Sequence, residues 1–194
     1  MQERVFSANA RKTLAVIFVI SLFLFIKYRP YDQSALIATS TYQQIFFLYF
    51  FITNQTLGII HEAGHGVCYI LPCPEFFMVL NGTLFQLFLP LGIGYYYKRQ
   101  KLIFPWLIAL FFTGLSLQYT AWYISTAQQG AYISAANSFL GVDAIHDFNY
   151  ILSHLHILKY NSQIAFILKL FSYLLMIFVV IKMVFIAFVF DSKR

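Results

Sequence analysis

From Gln33 to Ile60 the chain carries no charged residue, and its apolar character continues through His61-Glu62-Ala63-Gly64-His65 to Leu71-Pro72. A run of this length exceeds the roughly 20 residues that carry a helix across the hydrocarbon core of a bilayer. It predicts a membrane helix that proline ends at Pro72. Composition points the same way: charged residues make up 10% of the chain, against roughly 25% in soluble domains, and apolar types reach 60%. Mean hydropathy is +0.72. The 194 residues leave room for one membrane-embedded domain, 1–194, and little for a soluble one.

Four other apolar runs stand beside this one. Together they predict an all-α polytopic membrane protein with about five spans, approximately 13–28, 43–71, 76–97, 102–126 and 164–188. Basic residues flank the first span at both ends, at Arg11-Lys12 and Lys27-Tyr28-Arg29. No small-residue cleavage site follows it, so a retained helix is preferred over a signal peptide. The third span contains Pro90 and could be full or re-entrant. Its end, Tyr95-Tyr96-Tyr97 beside Lys98-Arg99, has the character of an interfacial aromatic belt. Residues 127–145 read as a loop. Beyond it, Phe148, Ile151, Leu152, Leu155 and Leu158 recur at helical spacing, predicting a short amphipathic or re-entrant helix near 147–158. Lys169 and Lys182 in the last span must snorkel or face other helices.

His61-Glu62-Ala63-Gly64-His65 carries the chemistry. The HExxH spacing puts both imidazoles on one helix face, one turn apart, where they can share a zinc ion. Glu62 then stands beside the metal as a general base. Ionisable groups are rare in membrane segments and three in five residues call for a function. A catalytic zinc usually has a third protein ligand. His146 and Asp147 are both candidates, because crossing spans would return the preceding loop to the same membrane side. Either could ligate while the other orients a ligand. Asn81, Gln86 and Gln118 fall in that half as well, where they serve either as interhelical hydrogen-bonding groups or, for Asn81 and Gln86, as substrate-binding or supporting residues.

Other residues have plainer readings. Cys68 follows His65 on the same face, but three ligands on one straight helix seldom converge. Cys68 and Cys73 are read as packed thiols, with a disulfide across Pro72 as the alternative. His154 and His156 are interfacial, and Asp143 is a loop or cap residue. The sequons at Asn54 and Asn81 lie inside apolar runs. The net charge of +6 comes from short clusters between apolar runs, which are topology signals and not a nucleic-acid surface. If every span crosses, Lys27, Arg29, Lys98, Arg99, Lys101, Lys193 and Arg194 fall opposite the site, and Arg4, Arg11, Lys12 and Lys159 on its side. That balance favours an external amino terminus and a site in the outer half, although the basic amino terminus argues otherwise.

A membrane-embedded HEAGH, a following Asn81-Gly82-Thr83 and a distal acidic residue resemble the site-2 protease family of intramembrane zinc metalloproteases, over most of the chain. The resemblance implies a peptidase in a membrane, of the bacterial inner membrane type. His61 and His65 would be zinc ligands, Glu62 the general base, and membrane-spanning proteins the substrates. The family places its third ligand in an Asn-Pro-Asp-Gly-like or Leu-Asp-Gly motif; here Ala144-Ile145-His146-Asp147-Phe148 stands in that part of the chain. Two other readings are a non-proteolytic zinc-binding relative and a metal transporter. Transport is disfavoured by the lack of a second acidic or histidine cluster on the far side.

Overall fold

The computed structural model describes residues 6–32, 40–133 and 144–190. Asp143, Arg4, Lys193, Arg194 and most of the expected 127–145 loop lie outside the described residues. Among the described residues there are six α-helices: α1 (Ala8–Tyr28), α2 (Thr41–Ile70), α3 (Glu75–Arg99), α4 (Ile103–Ser125), α5 (Asp147–His154) and α6 (Asn161–Val184). Ser7 caps α1 by accepting the Ala10 N–H at 3.2 Å. Ser40 and Gln43 close a capping box at the start of α2, satisfying backbone donors that the first turn leaves open. At the other end α2 stops at Ile70, just before Leu71-Pro72.

Among the described residues, four helical segments are long and apolar enough to cross a membrane: Ala8–Asp32, Glu75–Arg99, Ile103–Gln129 and Leu158–Val189. The remaining expected span, 43–71, forms a 30-residue helix, α2, but is not among these four. Its glutamines, Asn54 and HEAGH hold its hydropathy below that of the other four. Pro90 does not interrupt α3, which is one continuous helix.

Helix α4 is the most enclosed of the four and the others pack around it. Gly114 allows α6 to approach closely, since a Cβ there would stand 2.4 Å from Met176 Cγ. Ser172 Oγ donates to the Gly114 carbonyl at 2.7 Å across the same contact. An apolar core of Phe18, Phe111, Met176, Val179 and Met183 fills this region. A second cluster, Val79, Ile124, Phe148, Ile151, Leu152 and Ala165, seats α5 against α3, α4 and α6.

The course of α1 differs from simple alternation of five spans. Phe6 packs on Phe104, Phe18 on Phe111 and Tyr31 on Trp122, so α1 runs in the same direction as α4. Phe25 meets Tyr173, and Lys169 is hydrogen-bonded to Asp32, so α1 and α6 are antiparallel. The alternating set is therefore α1, α3, α4 and α6. Helix α2 begins beside the end of α1, with Phe46 against Tyr28, and stands outside that alternation. Arg11 and Lys12 consequently lie at the end of the bundle that carries Lys98 and Arg99, whereas Lys27 and Arg29 lie at the other. This reverses the expected placement of both groups.

The expected loop after Ala127 contains regular structure. Two-residue strands β1 (Tyr132–Ile133) and β2 (Ala144–Ile145) pair antiparallel, with Tyr132 opposite Ile145. Helix α5 is shorter than the 147–158 stretch. Phe148, Ile151 and Leu152 are buried as the spacing predicts, but Leu155 is exposed because the chain leaves the helix after His154 and turns through a left-handed His156 (φ 57°). The two cysteines are not packed thiols: Cys68 and Cys73 form a disulfide across Pro72, with Cα atoms 5.2 Å apart.

Candidate metal centre

His61 and His65 lie one turn apart in α2, and α3 crosses directly behind them. The crossing is made by two glycines. A Cβ on Gly64 would stand 2.5 Å from the Asn81 carbonyl oxygen, and one on Gly82 would stand 2.7 Å from His61 Nε2 and 2.6 Å from His65 Nε2. Asn81 locks the contact by donating from Nδ2 to the Gly64 carbonyl at 2.6 Å. Backbone thus touches backbone here, and the imidazoles occupy the space that side chains would otherwise fill.

The third group arrives from a distant part of the chain. The strand pair returns the backbone toward α4, where the His146 N–H donates to the Ala131 carbonyl at 2.9 Å. Asp147 follows as the first residue of α5, and its N–H donates to the Tyr123 hydroxyl at 3.3 Å. Its carboxylate Oδ2 stands 2.8 Å from His61 Nε2 and 3.2 Å from His65 Nε2, and the two Nε2 atoms are 3.2 Å apart. These three residues are the group of potential metal ligands among the described residues. The side chains of His61, Asp147 and His65 are 5%, 10% and 17% exposed, so what access the cluster has is on the His65 side.

The outer nitrogens fix the tautomers. His65 Nδ1 is 2.8 Å from the Met78 carbonyl oxygen, which can only accept, so Nδ1 carries the proton. His61 Nδ1 is 3.3 Å from Gln86 Oε1, in the same relation. With both rings in the neutral form, the Nε2 lone pairs point at each other and at a carboxylate oxygen. Three electron-pair donors this close repel unless a cation stands among them. One proton bridges only two of them, whereas one divalent ion satisfies all three. Donors of a tetrahedral zinc with bonds of about 2.0–2.2 Å stand roughly 3.3–3.6 Å apart; the two 3.2 Å separations lie near that range, and the 2.8 Å one would open by about half an ångström on binding. The donor set and its hydrogen-bonded outer nitrogens therefore fit zinc.

His146 is directed elsewhere. Its Nδ1 accepts the Asn149 N–H at 3.4 Å as the N-cap of α5, and its Nε2 lies 3.0 Å from Thr126 Oγ1. Its ring stacks on Tyr123 at 4.4 Å between centroids. Burial pushes the imidazole pKa down, which keeps the cap neutral and able to accept. Of the two neighbours, Asp147 is thus the ligand candidate, and His146 caps the helix that Asp147 begins.

No protein-family model, curated protein or solved structure matches this chain. The site's chemistry therefore rests on its own residues. Glu62 is half-buried and adjoins His61 in the same turn of α2. Gln86 is fully buried, with Oε1 facing the His61 ring and Nε2 without a partner. Gln118 does not join the site: its Nε2 donates to the Lys169 carbonyl at 3.3 Å, on the α6 side of α4. Cys68 is held in its disulfide and is not a ligand. Four contributors escaped the sequence reading: the Met78 carbonyl, Gly82, Tyr123 and Thr126. Only Gly82 left a trace in sequence, as the glycine of Asn81-Gly82-Thr83.

Proposed function

We propose that this chain is a membrane-embedded zinc peptidase of the site-2 protease type, acting on membrane-protein substrates. The convergence of His61 Nε2, His65 Nε2 and Asp147 Oδ2, with Glu62 in the same helical turn, carries the reading. When bound, zinc supplies Lewis-acid activation of water and of the scissile carbonyl. His61, His65 and Asp147 hold it, and their outer hydrogen bonds to Gln86, Met78 and Tyr123 keep the donor atoms aimed inward. Glu62 accepts a proton from the attacking water and delivers it to the departing amine nitrogen, so that one carboxylate serves both halves of the hydrolysis. A membrane-spanning substrate must unwind locally, because its helical carbonyls are otherwise engaged in backbone hydrogen bonds.

Asn81 favours a second reading. Its amide is committed to the Gly64 carbonyl and so supports the helix crossing in place of holding a substrate strand. A zinc-binding relative without proteolysis would keep that arrangement. Transport is disfavoured, because the described residues contain no second group of three metal-ligating side chains.

The purified chain in detergent or lipid separates these readings. It should bind about one zinc per molecule and cleave a membrane-spanning peptide. Glu62→Gln should retain the metal and lose roughly 10²–10⁴-fold in rate, the usual worth of a positioned acid–base group. Zinc binding without cleavage by the wild-type chain supports the non-proteolytic relative, and full activity in Glu62→Gln removes the assigned role.

A further inference from the structure

The two ends of the helix bundle differ in charge. One end, where α1 and α4 begin and α6 finishes, carries Arg11, Lys12, Lys98, Arg99, Lys101 and Lys182 and none of the described acidic residues. The site end carries every described acid: Asp32, Glu62, Glu75 and Asp147. Its basic residues are fewer, and two of them are tied to Asp32. Arg29 Nε pairs with it at 2.9 Å, and Lys169 is hydrogen-bonded to it. Lysine and arginine concentrate on the cytoplasmic side of membrane proteins, which assigns the first end to the cytoplasm.

The disulfide bears on the same question through different chemistry. Cys68 is three residues beyond His65, and Cys73 lies in the exposed turn between α2 and α3, so the bond sits at the site end. Disulfides persist in oxidising compartments and are kept reduced in the cytosol. Charge governs how the chain inserts, and thiol chemistry reports where that end comes to rest. The course of α1 matters here, because it moves the basic amino-terminal residues away from the site and removes their conflict with the rest of the charge pattern.

We propose that the end of the bundle bearing His61, His65 and Asp147 faces the non-cytoplasmic side of the membrane. Resting on the peptidase reading, its substrates are membrane proteins that present the segment to be cut from that side, and the cut falls in the outer half of that segment. The orientation itself does not depend on catalysis.

The test uses the full chain in intact cells and reads no cleavage. Gln100 and Ser153 are exposed at opposite ends, and each is changed singly to cysteine. A membrane-impermeant maleimide should label Ser153→Cys before lysis, and Gln100→Cys only after permeabilisation. In the unchanged chain, denatured under acid quench, a mass-tagged maleimide should shift the band by two tags only after reduction. Labelling of Gln100→Cys from outside, or two free thiols without reductant, overturns the orientation. The peptidase reading fails separately, on zinc binding and cleavage by the purified chain.

Discussion

The contact between α4 and α6 and the contact between α2 and α3 both use a glycine to bring two helices together, but they are built from different material. At Gly114 the neighbour is the Met176 side chain, a flexible apolar group in a packed core. At Gly64 and Gly82 the neighbours are backbone and two imidazoles held by hydrogen bonds. A side-chain contact can relax when perturbed, because rotamers and neighbouring methylenes adjust. A backbone contact that also positions ligands has nothing to yield. The first region therefore bears on stability and the second on the geometry of the candidate metal site, and each should be open to damage without the other.

Four substitutions probe that division. Gly82→Ala should have the largest effect, loss of zinc binding, because its methyl would stand 2.6–2.7 Å from both Nε2 atoms. Metal content after gel filtration in detergent reads it, and retained zinc would mean that α3 can withdraw. Met176→Ala should destabilise by about 2–5 kcal/mol through the cavity it leaves, while zinc content stays at the wild-type level. Thermal unfolding of the detergent-solubilised chain measures the first and metal analysis the second; lost zinc would show that the two regions are coupled. Gln86→Leu removes the partner of His61 Nδ1 and should weaken zinc affinity by about 10–100-fold. Competition with a chelator measures this, and because the change also deletes an unpartnered buried amide nitrogen, little stability should be lost. His146→Ala should cost about 1 kcal/mol as a lost helix cap and leave zinc bound; loss of the ion would restore His146 as a ligand.

Legibility in the sequence followed the range of the interaction. Apolar runs located the long helices, and Pro72 located the end of α2, because both effects act within a few residues. Hydropathy did not set the direction of α1, which is fixed by Phe6, Phe18 and Tyr31 meeting rings of α4. The Cys68–Cys73 bond was legible only as an alternative, since spacing permits it without requiring it. Gln118 was polar and in the correct half, yet faces α6, because one residue's rotation about a helix axis decides which neighbour it meets.

The placing of His61 and His65 on one face was fixed by sequence alone, since 3.6 residues per turn put positions four apart on one face whatever surrounds them. The choice between His146 and Asp147 was not. These adjacent residues differ in direction because one is an extended cap and the other the first helical residue, and only the docking of α5 beneath Tyr123 turns the carboxylate toward imidazoles 86 and 82 positions earlier. Helical periodicity is a local property of the chain, whereas convergence across that separation exists only once the helices have packed.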